Sequence, residues 1–289
     1  MKNLFVVLCI SVFTISSYAQ LETKVPFSVA IAAHIKKYNI KSKNAYKEQD
    51  IEYAEFLFDS LVNNHLVGTY MDNFTMNPIK GDPVKFEELK KPIFLITYAT
   101  WCVPGEGQVP ALNDLVDRFH DQIDFVVLFW DTPEKIKTVE RDYSNQAHLF
   151  YVDERTNRDT YIINNLKHSL GFPMMYYLDN DKKLLGIEKV VSHHSSETLS
   201  NSYSIHFNSL SKGVSTLIAN LDLESEDDIE SELAIDETPE SSEKGKKKKS
   251  KRDLRTEEER RIDEEYELYL RQKKIDSIKR LKMKLGPNN

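Results

Sequence analysis

From Ile93 to Pro110 the sequence reads IFLITYATWCVPGEGQVP. Its first six residues form an uninterrupted apolar run of strand length, which is typical of a strand covered on both faces of its sheet. A second such run occupies residues 124–130, and residues 109–119 between the two runs place apolar side chains at helical spacing. This pattern predicts an α/β unit in which Cys102 follows the first long strand and precedes a helix.

The remainder of the middle region continues the alternation of strands and helices. A cap at 131–133 predicts a helix that begins with proline. Strands that alternate with helices and end in a hairpin and a helix are typical of an α/β sandwich with a mixed sheet. The further predicted elements are a strand at 148–152, a helix at 157–168, a hairpin of strands at 174–178 and 184–191, and a final helix at 205–221.

The first nineteen residues have the pattern of a secretory signal. Lys2 supplies the positive start, an apolar run follows, and Ala19 ends a small-residue cleavage site. The run is too short to span a bilayer, and no later segment is apolar enough for a transmembrane helix. We therefore expect an exported protein, periplasmic or extracellular, without a transmembrane segment. An exported chain is not expected to bind nucleic acid.

The cysteine content limits the redox chemistry. The chain has two cysteines, and removal of the signal, which contains Cys9, leaves Cys102 alone. Structural cysteines of oxidising compartments normally come in pairs, so Cys102 is either a buried bystander or a reactive thiol. His193 and His194 lie in a polar stretch without further ligands at metal spacing, and no phosphate-binding loop occurs. We expect no metal or cofactor.

Two motifs resemble those of a known family. The order of elements, the motif TWCVP and the triplet Gly171-Phe172-Pro173 before the hairpin resemble the thioredoxin fold, and the exported TlpA/ResA-type thiol-disulfide oxidoreductases in particular. Residues 68–89 also resemble the additional N-terminal hairpin of that family. The resemblance spans about residues 66–221 and implies a thioredoxin-like three-layer α/β/α sandwich with a mixed β-sheet. The residues that match the family motif are Ala99, Thr100, Trp101, Cys102, Pro104 and Pro110.

The resemblance assigns roles to four residues of a catalytic site. Cys102 would be the nucleophile, Trp101 would shield one side of its sulfur, and Pro104 would fix the turn into the helix. Pro173 would be a cis proline beside the cysteine. The backbone of Phe172 would then be available to an extended peptide of a partner, whose thiols or disulfides are the expected reactants.

The position of Cys102 predicts an acidic thiol. A cysteine at a helix N-terminus is close to unpaired backbone N–H groups and to the positive end of the macrodipole, which favour the thiolate. Such placement lowers a thiol pKa from about 8.5 toward roughly 7 or below. The thiolate is the form that attacks disulfides.

Gly105 stands where the family has its second cysteine, and it leaves two hypotheses open. Cys102 could act as a single nucleophile whose mixed disulfide an outside thiol resolves, or whose sulfenic acid another protein reduces. Alternatively, the fold could be a redox-inactive module that binds extended peptide. A peroxidase is not favoured, because Leu95 and Ala99 do not match the residues that peroxidases of this fold place before their cysteine.

The flanking regions differ from the middle in composition. Residues 20–64 are predicted as a helical extension that precedes the thioredoxin-like domain, residues 65–221. Residues 222–252 are predicted as a disordered linker, acidic and then basic, since residues 222–243 contain eleven acidic residues and no basic one. Residues 253–289 are predicted as a charged helical tail. The broken apolar stripe of this tail leaves two interpretations open, a solvated helix or a helix that docks on a protein partner.

Overall fold

The computed structural model describes residues 24–102, 104–157, 160–191, 198–233, 261, 262, 264–275 and 279 of the 289-residue chain. These residues form a seven-stranded mixed sheet in the order β2-β1-β5-β4-β3-β6-β7. Strand β3 lies in the interior of the sheet, parallel to β4 and antiparallel to β6. The strands are β1 (Thr75–Pro78), β2 (Val84–Lys85), β3 (Ile93–Tyr98), β4 (Asp124–Phe129), β5 (His148–Tyr151), β6 (Met174–Leu178) and β7 (Leu184–Lys189).

Helices cover both faces of this sheet. Short turns of other helix types follow several of them, notably the π-helices Val62–Leu66 and Ile163–His168. The α-helices are α1 (Phe27–Lys47), α2 (Ile51–Leu61), α3 (Gln108–Phe119), α4 (Pro133–Val139), α5 (Thr160–Ile162) and α6 (Leu199–Leu233).

The two-residue period of β3 divides the core between the faces of the sheet. Ile93 and Leu95 pack in one buried cluster with residues of α1 and α2, while Phe94 and Ile96 pack in a second cluster with residues of α3 and α6. Every side chain of β3 is buried, as its continuous apolar run predicts. The thioredoxin-like three-layer α/β/α sandwich with a mixed sheet is therefore confirmed.

The N-terminal helices form part of the same core. Phe27 of α1 meets Tyr176 of β6 edge to face, with ring centroids 6.3 Å apart. The Asp72 carboxylate accepts hydrogen bonds from the backbone N–H and the hydroxyl of Ser28, at 3.0 and 2.9 Å, in the first turn of α1. The predicted hairpin within residues 68–89 is present as the antiparallel pair β1 and β2. The extension is thus tied to the sheet rather than separate from it.

Two helices differ from their predicted bounds. Helix α6 begins at Leu199 and continues to Leu233, so residues 222–233, predicted as the start of a disordered linker, are helical. Four of these twelve residues are glutamate, which has high helix propensity. The helix predicted at 157–168 starts at Thr160 and changes to a π-helix after one turn.

The described part of the tail is helical and packs on α2 of the same chain. Ring centroids of Tyr266 lie 5.1 Å from Tyr53 and 4.9 Å from Phe56, and Tyr269 lies 5.5 Å from Phe56. The Lys273 ammonium lies 3.1 Å from a carboxylate oxygen of Glu52. Most residues of this helix are exposed, as a solvated helix predicts, whereas its apolar stripe packs against α2 through Ile262, Tyr266 and Tyr269. The face predicted for a protein partner is occupied by the chain itself.

Loss of the Tyr266 ring is expected to release this tail. Tyr266→Ala removes two aromatic contacts with α2, so trypsin should cleave at Arg271 and nearby basic residues roughly tenfold faster than in the unchanged chain. The measurement is a time course of limited proteolysis with mass spectrometry. Leu268→Ala is the matched control, because Leu268 is 62% exposed on the same helix. Equal cleavage of both variants would contradict the packing.

Several predictions concern residues outside the described part of the chain. These are the signal at 1–19, residues 234–252 of the linker, residues 253–260, 263, 276–278 and 280–289 of the tail, and the pair His193 and His194. Within the described residues, no helix combines the length and hydropathy needed to cross a membrane. The same residues contain no group of three or more potential metal-ligating side chains.

Candidate functional site

Cys102 lies in a turn directly beyond the carboxyl end of β3. Its backbone N–H donates a hydrogen bond of 2.9 Å to the carbonyl oxygen of Ala99, which reverses the chain after the strand. The side chain is half-buried and packs against both core clusters at this edge of the sheet. The thiol is thus held between the two helical layers and retains partial access to solvent.

Asp131 lies beside this turn because β3 and β4 are parallel and end together. Its buried carboxylate accepts hydrogen bonds from the backbone N–H of Thr100, at 2.5 Å, and from the Thr100 hydroxyl, at 2.9 Å. The Lys135 ammonium lies 3.1 Å from the same carboxylate. From the sequence, Asp131 was assigned only to a helix cap. The shared end of two adjacent parallel strands is the signal that could have placed it near Cys102.

The loop that contains Pro173 meets the cysteine turn through aromatic side chains. The Phe172–Pro173 peptide bond is cis, as the resemblance implies. The ring of Trp101 lies 5.3 Å from that of Phe172 at 73°, edge to face. Trp101 is 65% exposed. The structure therefore brings together the two segments that carry Trp101, Cys102 and Pro173, and Pro104 is half-buried.

Cys102 does not lie at the N-terminus of the helix, as its predicted acidity requires. Helix α3 begins at Gln108 with Gly107 as its N-cap, so Cys102 lies before the helix and outside its first turn. Gly105 and Gly107 explain why the helix does not extend back to Cys102, since glycine is about 1 kcal/mol less favourable than alanine in a helix. The N–H of Cys102 is paired with Ala99, and the unpaired N–H groups of the helix terminus belong to later residues.

The electrostatics of Cys102 follow from this position and overturn the predicted acidic thiol. Burial raises the pKa of the Cys102 thiol above its ordinary value, the backbone of Ala99 opposes this shift, and the negative charge of Asp131 adds to it. The thiol is therefore mainly protonated at neutral pH. Its chemistry as a nucleophile depends on alkaline pH or on a partner that favours the thiolate.

The first turn of α6 forms hydrogen bonds with Gly107 and with helix α3, next to the candidate site. The backbone N–H of Gly107 donates a hydrogen bond of 3.0 Å to the hydroxyl of Ser202, which is buried. The Tyr203 hydroxyl donates to the Asp114 carboxylate on α3 at 2.5 Å. These contacts fix the start of α3, and with it the end of the loop that contains Cys102.

Comparisons with known proteins agree with this architecture. A model of the AhpC/TSA family matches residues 67–187. The thiol-disulfide oxidoreductase ResA of Bacillus cereus is 26% identical over 137 residues, which are 46% of this chain and 74% of that protein. The thioredoxin-like protein YneN of Bacillus subtilis is 22% identical over 116 residues, 39% of this chain and 65% of its own length.

Among solved structures, the thioredoxin domain of a thiol-disulfide oxidoreductase from Bacteroides vulgatus is similar at 18% identity. The match covers 50% of this chain and 96% of that domain, with a TM-score of 0.39. A thiol:disulfide interchange protein from a Bacteroides species matches at 17% identity over 48% of this chain and 87% of its own, with a TM-score of 0.36. The chain thus has a thioredoxin-like fold, and part of its length is similar to the AhpC/TSA family and to the thiol-disulfide oxidoreductase ResA.

Proposed function

We propose that this chain is an exported thioredoxin-like protein that exchanges thiols and disulfides with partner proteins through the single sulfur of Cys102. The main support for the proposal is the contact between the loop that contains Cys102 and the loop that contains Pro173. Trp101, next to the half-buried thiol, packs against Phe172, next to the cis Pro173. The similarity to ResA and the signal pattern of residues 1–19 support the reaction type and the export.

The exchange requires an external thiol. The Cys102 thiolate attacks one sulfur of a partner disulfide, the S–S bond breaks, and the second partner sulfur leaves as a thiolate that takes up a proton. Gly105 supplies no sulfur to break the resulting mixed disulfide. A second, external thiol attacks that bond, regenerates the Cys102 thiol and remains joined to the partner. Cys102, Trp101, Pro104 and Pro173 are the residues proposed for the site.

The pH dependence of alkylation tests the state of the thiol. We expect the rate of reaction of Cys102 with iodoacetamide to rise with pH, with a midpoint above that of free cysteine, because burial and Asp131 favour the protonated form. Asp131→Asn removes a negative charge and is expected to move the midpoint downward. The measurement is mass spectrometry of the mature chain, in which Cys102 is the remaining cysteine. A midpoint below that of free cysteine would contradict the raised pKa.

Mixed-disulfide trapping tests the exchange itself. When the full mature chain is incubated with periplasmic or extracellular proteins at alkaline pH and quenched with acid, we expect adducts that disappear on reduction. Cys102→Ser should form none, because the hydroxyl cannot join a disulfide. The readout is a non-reducing gel with identification of the adducts by mass spectrometry. If the unchanged chain forms no more adducts than Cys102→Ser, the exchange proposal fails.

A second candidate function has specific support. The raised pKa of Cys102 and the absence of a second sulfur at Gly105 favour a redox-inactive module that binds extended peptide at the Phe172–Pro173 loop. The two candidates differ in one result. Partners of an interaction module should be captured equally by the unchanged chain and by Cys102→Ser, and a reducing agent should not release them.

A further inference from the structure

We propose that a cleft between α1 and the loop before Pro173 binds an acidic, extended segment of the partner protein. This inference rests on the proposed function, in that the partner is taken to lie along the Phe172–Pro173 loop. Thiol-disulfide exchange does not specify the charge of the partner segment, and this inference adds that the segment is acidic.

The cleft is an open groove with a volume of about 790 Å³. Tyr46, with Lys43 and Lys47, lines it from the C-terminal half of α1. Residues 169–171 line the opposite side, and Lys189 of β7 contributes at the same groove. The groove is thus bounded by the N-terminal extension on one side and by the sheet and its loop on the other.

The charge of the groove has one sign. Lys43, Lys47 and Lys189 line it, and its described lining contains no carboxylate. Within the described part of the chain, none of these lysines lies within ion-pair distance of a carboxylate, although the ammonium of Lys189 lies 4.5 Å from the ring centroid of Phe58. The exposed ammonium groups of Lys43 and Lys47 attract an acidic segment over about a Debye length, roughly 8 Å at physiological salt, whereas Lys189 also interacts with the carboxylate of Asp59.

The groove is continuous with the candidate site through the backbone. Gly171 lines the groove and directly precedes Phe172, whose ring packs against Trp101. Gly171 has a φ of 80°, a left-handed conformation that favours glycine and lets the chain turn between groove and site. An extended segment at Phe172 therefore enters the groove within its next few residues. There the exposed ring of Tyr46 offers an apolar surface beside the lysines.

An equilibrium binding measurement tests this inference without thiol chemistry. The full mature chain carries Cys102→Ser, and three fluorescein-labelled extended peptides of equal length are rich in glutamate, glutamine or lysine. Fluorescence anisotropy gives the affinity for each. We expect the glutamate peptide to bind at least about tenfold more tightly than the glutamine peptide, as two or three ion pairs of exposed groups would provide. Raised salt should reduce this difference.

Substitutions in α1 test whether the glutamate peptide binds in this groove. Lys43→Glu combined with Lys47→Glu should remove the preference for the glutamate peptide, while Lys43→Arg with Lys47→Arg should keep it. Lys36→Glu, an exposed position of the same helix outside the groove, is the matched control and should leave the preference unchanged. Circular dichroism verifies that each variant is folded. Because these proteins lack the thiol, the outcome is separate from that of mixed-disulfide trapping.

Three outcomes would overturn the inference. One is equal affinity for the glutamate and glutamine peptides. Another is a preference that survives the double charge reversal, which would assign binding to another basic segment such as residues 244–252. The third is weak binding of all peptides together with carbodiimide cross-links from Lys43 or Lys47 to residues 222–243, which would assign the groove to the chain's own acidic segment.

Discussion

Gly213→Ala is expected to lower the free energy of unfolding by roughly 3 kcal/mol, because α6 approaches the sheet too closely to admit a methyl group. A Cβ atom at Gly213 would lie 2.3 Å from a ring carbon of Tyr177 and 2.7 Å from a ring carbon of Phe94. Both rings are buried in the core and cannot move aside freely. The measurement is urea unfolding followed by circular dichroism.

The test is specific because the expected change in stability is opposite to that in an unconstrained helix. In an unconstrained helix, the same substitution stabilises by about 1 kcal/mol, because alanine has the higher helix propensity. Ser215→Ala, on the exposed side of the same helix, is the matched control and should change stability by no more than about 0.5 kcal/mol. A neutral or stabilising Gly213→Ala would show that α6 does not contact the sheet at this distance.

Gly107→Ala is expected to cost a similar amount, about 3 kcal/mol, and to disturb the candidate site directly. A Cβ atom at Gly107 would lie 2.0 Å from the backbone nitrogen of Tyr203 and 2.4 Å from its Cα atom. Backbone atoms cannot rotate away as a side chain can, so the N-terminus of α6 has to shift. The measurements are urea unfolding and the rate of alkylation of Cys102, which should increase as the loop loosens.

Ser202→Ala distinguishes two roles of Gly107, the close approach to the backbone of α6 and the hydrogen bond to Ser202. The Ser202 hydroxyl accepts the N–H of Gly107, so the smaller variant leaves that buried donor unpaired but leaves the backbone contact intact. We expect a loss of about 1–2 kcal/mol and little change in the alkylation rate. If Ser202→Ala destabilises the chain as much as Gly107→Ala, the close backbone approach is not the main constraint.

The sheet was the part of the fold most open to prediction from the sequence. Strands β3 and β6 have the bounds that their apolar runs predicted, because a strand buried on both faces has a composition that few other elements share. Helix α6 was predicted too short, since its ends are polar and carry no apolar period. The packing of Tyr266 on α2 depends on residues far apart in sequence, and a broken stripe could not identify its partner.

The candidate site was predictable in its membership but not in its electrostatics. Trp101, Cys102 and Pro173 follow from motifs, and the structure brings their segments together. The prediction of an acidic thiol was wrong because it placed Cys102 at the N-terminus of α3, whereas the helix starts at Gln108 and burial raises the pKa of the thiol. Asp131 raises the pKa of Cys102 from the end of the neighbouring strand, and this effect could not be predicted without knowing that β3 and β4 are parallel.

The packing of the tail on α2 has a consequence for the order in which the chain matures. Tyr53 and Phe56 are synthesised early, whereas Tyr266 and Tyr269 emerge more than two hundred positions later. Until those last residues are released, the aromatic side of α2 remains uncovered and able to associate with other nascent chains. A chain interrupted before residue 261 would keep that side open permanently, so we expect it to aggregate even though its sheet can assemble.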